Sequence, residues 1–202
     1  MQLSNFIKQF LSASLFFLMF TSFNNRNEKK VLDFELNNVN GKTVSLKNYP
    51  TAKGFIIVFT CNHCPFAKLY PERLNTLNAY FGELNVPLIA ISSTDTVAYP
   101  EDAFEEMKEK AINEKFNFPY LADGTQRVAK NYKADKTPHA FVIWKEEGEW
   151  VIKYSGAIDD NGMEPEKVKN KYVEDAVKDL LAHKPVRIKE TKSVGCQIYF
   201  RK

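Results

Sequence analysis

The chain has 202 residues, 44% hydrophobic and 13% aromatic, with 28 Lys and Arg against 25 Asp and Glu and a formal net charge of +3. That length and apolar content suffice for one well-buried core, so a single folded domain is expected. The charge is mild and no Lys/Arg block concentrates it, which excludes the electrostatic footprint of a nucleic-acid binder.

Residues 1–24 differ from the rest. Lys8 precedes the apolar run Phe10 to Phe20, and the polar Asn24-Asn25-Arg26-Asn27 follows. A cationic start and an apolar run of this length fit a secretory signal peptide, and the run is shorter than the roughly 18 residues of a spanning helix. The expectation is export, to a bacterial periplasm, with residues 1–24 as a cleaved signal or, if retained, an N-terminal membrane tether. Residues 25–202 then form the folded domain, with a tail from about residue 184. The cysteines are three, Cys61, Cys64 and Cys196. So few thiols in an exported chain, two of them closely spaced, suit chemistry better than stapling.

In chain order, residues 31–36 and 43–46 read as two short strands around a turn containing Asn40-Gly41, a strong hairpin signal. Phe55-Ile56-Ile57-Val58-Phe59 is a continuous β-branched and aromatic run, the pattern of a buried strand. A helix is predicted over 65–81, opened by Pro65, with Leu69, Leu74 and Leu77 on its apolar face. Residues 86–92 form a second buried strand. An amphipathic helix over 100–114 follows, with Ala103, Phe104, Met107, Ala111 and Ile112 on one side and Glu105, Glu106, Lys108, Glu109 and Lys110 on a solvated face. Then come a short strand over 118–121, a helix over 125–132, a hairpin with strands 140–144 and 150–154, and a last helix over 164–183. This order implies an α/β domain: a central mixed sheet flanked by helices, with an N-terminal β-hairpin.

Cys61-Asn62-His63-Cys64-Pro65 lies at the predicted strand-to-helix junction, at the carboxyl end of a strand, where such folds gather their chemistry. At the helix N-terminus the dipole and unpaired N–H groups favour a thiolate. Cys61, as the N-terminal and more exposed member, is expected to attack disulfides, and Cys64 to resolve the mixed disulfide. Strand 54–59 holds no acidic residue, so Cys64 must give its proton to water or to a base elsewhere. His63 either tunes the thiolate through its partial positive charge or faces solvent. His139 either reaches the site or simply starts a strand.

Further segments extend the pattern: Tyr99-Pro100-Glu101-Asp102, Phe118-Pro119-Tyr120-Leu121, Val128 to Tyr132, Lys136-Thr137-Pro138, Tyr154 to Asn161 and Gly195-Cys196. With the two spaced cysteines, these residues resemble the thioredoxin-like redoxin family (the alkyl hydroperoxide reductase/thiol-specific antioxidant superfamily), close to its exported thiol–disulfide oxidoreductases. The resemblance spans roughly residues 31–202. It implies a thioredoxin-like fold and a cis Thr137-Pro138 bond opposite the cysteines. Thr137 and Pro138 would then bind substrate, leaving backbone free to pair with an extended chain. It further implies redox tuning by His63 and, by analogy with C-terminal resolving cysteines, a third redox role for Cys196 on a mobile tail; an unpaired, packed thiol is the other reading of that residue. The expected activity is thiol–disulfide exchange through Cys61 and Cys64, with no cofactor and no resident metal. Its partners are protein or small-molecule disulfides and thiols plus a redox donor. Two alternatives stay open: a thiol peroxidase using Cys61, and a copper or zinc carrier using Cys61, Cys64, His63 or His139.

Overall fold

The computed structural model describes residues 29–201, and the signal peptide expected over residues 1–24 lies outside them. Among the described residues no helix is long and apolar enough to cross a membrane. In chain order the elements are β1 (Lys30–Val31), β2 (Leu36–Asn38), β3 (Thr43–Val44), β4 (Gly54–Phe59), α1 (Pro71–Gly82), β5 (Leu88–Ser92), α2 (Phe104–Asn113), β6 (Tyr120–Ala122), α3 (Arg127–Tyr132), β7 (Lys136–Thr137), β8 (His139–Glu146), β9 (Glu149–Gly156), α4 (Tyr172–Leu181) and β10 (Cys196–Gln197).

One sheet runs in the order β1-β9-β8-β4-β5-β6-β2-β3, and β7 pairs separately with β10. The central β4 is parallel to β5 and antiparallel to β8. Every residue of β4 is buried, as its unbroken apolar run requires. Its side chains alternate between two cores. Ile56 and Val58 pack with Leu74, Leu77 and Phe81 of α1 and with Val173 and Val177 of α4. Phe55, Ile57 and Phe59 face the other way, toward Val128, Ala129 and Tyr132 of α3. Helices thus cover both faces of a mixed sheet, and the fold is thioredoxin-like, as expected.

Both turns form at the predicted places, but the strand expected over 31–36 is split: Val31 in β1 pairs with Trp150 of β9, and the hairpin strand β2 begins only at Leu36. Leu36 pairs with Val44 across a turn in which Gly41 has a φ of 82°. In the second hairpin Glu146 pairs with Glu149, and Glu147 and Gly148 turn the chain with φ values of 49° and 86°, both in the region a tight two-residue loop demands.

The helices are shorter than their patterns suggested. The segment expected as one helix over 65–81 opens with an irregular loop and a 3₁₀ turn (Ala67–Leu69), and α1 begins only at Pro71, whose missing N–H suits a first turn. Likewise a 3₁₀ turn over Pro100–Asp102 precedes α2, and another over Pro165–Lys167 stands well before α4. Ile112, placed on the apolar face of α2, is 75% exposed. The segment after α4 is no free tail. Ile198 sits in the core beside Phe59 and Phe141, and its N–H donates to the Asp135 carbonyl at 2.8 Å.

Candidate active site

Cys61 and Cys64 lie in the loop that leaves the carboxyl end of β4 and runs to the 3₁₀ turn at Ala67. α1 starts ten residues after Cys61, at Pro71, so that thiol is not at the N-terminus of the helix. The expected helix-terminus stabilisation of Cys61 is therefore corrected. The expected exposure is corrected too, since Cys61 and Cys64 both have no accessible surface.

Thr137 binds both sulfurs. Its hydroxyl lies 3.1 Å from Cys61 Sγ, and Cys64 Sγ lies 3.1 Å from its carbonyl oxygen. The Thr137-Pro138 bond is cis, as the resemblance implied. The two thiols pack against each other and titrate as a pair. The interaction with Cys61, followed by contacts from Cys196 and the backbone at Ala67 and Cys196, pulls Cys64 below the ordinary thiol range against the opposing effect of burial. The Thr137 carbonyl, which accepts from Cys64, favours the protonated form and works against that shift. Cys61 is pushed up by the same interaction, by burial and by the charge of Asp102, with Thr137 opposing.

This fixes a pH dependence. A Cys64 thiol held below the ordinary range stays ionised at neutral pH and takes up its proton on acidification. The reduced protein is expected to keep one thiolate, read by ultraviolet absorbance, at pH 7 and to lose it in a single step as the pH falls. Cys64→Ser is expected to abolish that step.

Asp102, which sequence reasoning left unassigned, organises the loop. It is 1% exposed and accepts from the N–H groups of Asn62 and His63 and from His63 Nδ1. The His63 ring stacks on Tyr99 with centroids 4.0 Å apart. Asn62 donates to the Glu101 carbonyl at 2.8 Å and accepts from the Tyr120 hydroxyl at 3.0 Å. His63 is thus held rather than facing freely into solvent. The segment Tyr99 to Asp102 clamps the cysteine loop; the sequence marked it as part of the resemblance but gave Asp102 no role. Lys110, assigned to a solvated face, is only 12% exposed at its side chain. Burial lowers its ammonium pKa, while Glu114, Cys61 and Asp102 pull the other way.

His139 starts β8 and is bound elsewhere, to Ser155 Oγ at 3.0 Å and Asp135 at 3.1 Å. Ligand atoms of Cys61, His63 and Asp102 lie within 4.8 Å of one another, a grouping that draws in Asp102 and leaves out Cys64 and His139.

Cys196, expected on a mobile tail near Cys61, is instead fixed beside Cys64. In β10 it pairs antiparallel with Thr137, the backbone expected to stand free for substrate. Gly195 makes this approach feasible, because a Cβ there would fall 2.0 Å from the Thr137 carbonyl oxygen. Gln126, buried in a left-handed conformation (φ 59°), holds the segment by donating to the Ser93 and Tyr199 carbonyls at 2.8 and 2.9 Å and accepting from the Arg201 N–H at 2.8 Å.

Comparison with known proteins places this geometry. Residues 28–158 match the model of the AhpC/TSA family. A hypothetical protein from Sinorhizobium meliloti is similar at 28% identity and a TM-score of 0.78, covering 86% of this chain and 94% of its own. An uncharacterized conserved protein from Geobacillus kaustophilus is similar at 35% identity and a TM-score of 0.78, over 86% and 92%. Peroxidoxin BcpB from Mycobacterium tuberculosis shares the fold, with 18% identity and a TM-score of 0.52 over 77% and 93%. No curated protein matches the chain.

Proposed function

The chain belongs to the AhpC/TSA family of thiol-based redox proteins, and on that premise we propose that it is a thiol–disulfide oxidoreductase cycling between a Cys61–Cys64 dithiol and disulfide. One observation carries the reading: the two cysteines pack together just past the carboxyl end of β4, and Thr137, ahead of a cis proline, binds both sulfurs. Cys61 Sγ attacks one sulfur of a substrate disulfide while its proton passes to the Cys64 thiolate. The substrate's second sulfur leaves and takes up that proton, which returns Cys64 to the thiolate. Cys64 then attacks Cys61 Sγ, the bound half of the substrate departs as a thiolate, and a Cys61–Cys64 disulfide remains. Two electrons have passed to the substrate.

In this account Asp102 keeps Asn62 and His63 in place, and with them the spacing of the two sulfurs. His63 acts on the site through that anchor. Export belongs to the same proposal and rests on the cationic start and apolar run within residues 1–24.

A second reading draws on the complete burial of both sulfurs beneath β10. Such a site admits a small oxidant more readily than a peptide. Cys61 would attack a peroxide oxygen, an alcohol or water would leave, and Cys64 would displace hydroxide from the resulting sulfenic acid as water. Mixing the reduced protein with one equivalent of either hydrogen peroxide or a small-molecule disulfide separates the two. The exchange reading expects the disulfide to consume both thiols first; faster consumption by peroxide replaces it with the peroxidase.

A further inference from the structure

The C-terminal segment places a third sulfur in series with the pair. Cys61 touches Cys64, and Cys64 in turn touches Cys196, which packs against the same small cluster. The first two are wholly buried, whereas Cys196 is partly exposed. We propose that Cys196 is the relay thiol through which the buried Cys61–Cys64 pair exchanges electrons with an external dithiol, with β10 holding it on the Thr137 strand in the place of a substrate backbone.

The holding contacts are built in. Thr137 pairs with Cys196, and Gly195 lies flat against its carbonyl. Lys136 Nζ donates to the Ser193 carbonyl at 3.4 Å on one side, and the Ile198 N–H donates to the Asp135 carbonyl at 2.8 Å on the other. Ser193 and Ile198 are both buried. The segment is therefore seated on either side of the thiol, and Cys196 needs no large motion to reach Cys64.

The step rests on the Cys61–Cys64 reading above and balances without another oxidant. In the oxidised protein, Cys196 Sγ attacks Cys64 Sγ. The Cys64–Cys196 bond forms, the Cys61–Cys64 bond breaks, and Cys61 leaves as a thiolate that takes up the Cys196 proton. One thiol of an external dithiol then attacks Cys196 Sγ and frees Cys64 as a thiolate. The second thiol of that donor attacks its own mixed-disulfide sulfur and releases Cys196. The donor departs as a disulfide, and the protein has gained two electrons. The timing follows from charge. Burial, then the bond and the charge of Cys64, push Cys196 up to about 11 in the reduced protein. Oxidation of Cys64 removes its charge, so Cys196 ionises more readily when a disulfide is waiting.

The test compares the full chain with Cys196→Ser, which keeps Gly195 and the backbone pairing. Both are oxidised, and reduction of the disulfide by dithiothreitol is followed by alkylation and mass mapping. The relay predicts reduction at least about tenfold slower in Cys196→Ser. It also predicts a Cys64–Cys196 linked peptide in oxidised Cys61→Ser, a measurement that does not depend on altering β10. Equal or faster reduction of Cys196→Ser, or free Cys64 and Cys196 thiols in oxidised Cys61→Ser, overturns the relay and leaves the Cys61–Cys64 reading intact. If Cys196→Ser forms no Cys61–Cys64 disulfide at all, the underlying reading fails and the relay with it.

Discussion

Replacing Cys64 with serine is expected to turn the protein into a trap: a mixed disulfide accumulates on Cys61, and turnover of a disulfide substrate falls by roughly 10³-fold or more, the scale of losing a reacting nucleophile. The reason is positional. Cys64 holds Cys61 protonated and is also the thiol that must attack Cys61 Sγ, so its loss frees Cys61 to react but leaves the adduct unresolved, and among the described residues the remaining cysteine, Cys196, packs against the position of Cys64. Serine, slightly smaller than cysteine, can still donate to the Thr137 carbonyl, so the loop stays folded while the chemistry stops midway. Mass mapping under non-reducing conditions reads the adduct. An adduct on Cys64 in Cys61→Ser, with none on Cys61 in Cys64→Ser, would reverse the two roles.

The second large effect belongs to Asp102. Its carboxylate is 1% exposed and is the acceptor for two backbone N–H groups and for His63 Nδ1. Asp102→Ala leaves these donors unpaired in a buried setting and is expected to cost about 3–5 kcal/mol, the range for breaking a buried pair by removing one partner. A denaturant melt reads that loss. Asp102→Asn keeps an acceptor for the backbone but can present an amide donor to His63, so its cost is expected to be smaller, about 1–2 kcal/mol. In both variants the loop loses definition, and formation of the Cys61–Cys64 disulfide slows. If Asp102→Ala retained wild-type stability and rate, the clamp from Tyr99 to Asp102 would have no role in positioning the thiols.

The parts of this architecture that could be read from the chain are those written in local patterns. The run from Phe55 to Phe59 is apolar at every position because both faces of β4 are covered, and that made the strand and the placement of the two cysteines legible. Asn40-Gly41 announced the first turn, and the glycines Gly41 and Gly148 take the positive φ that each turn requires. Helix starts were harder. Pro65 and Pro71 are equally compatible with a first turn, and only the packing of Leu74 and Leu77 against the sheet selects Pro71.

The site's second layer was hidden for a different reason. Asp102 lies forty positions from Asn62 and sits in a Pro-Glu-Asp segment that reads as an ordinary helix opening. Its partners are backbone N–H groups, which no side-chain pattern betrays. The strands β7 and β10 are two residues long, too short for any periodicity, and their pairing depends on Gly195 meeting Thr137. Gln126 was equally silent, because its clamp on residues 199 and 201 exists only once the chain has crossed the molecule.

The pair of thiols is the centre of the account, and one measurement reaches it directly. Reduced Cys196→Ser protein, which isolates the pair from the third sulfur, is given one equivalent of a small-molecule disulfide and digested without reductant. The account predicts that Cys61 and Cys64 are both lost to alkylation and recovered in one peptide joined by an internal disulfide, with two thiols released from the reagent. Recovery of both as free thiols, or of a stable adduct on one while the other stays alkylatable, would contradict it.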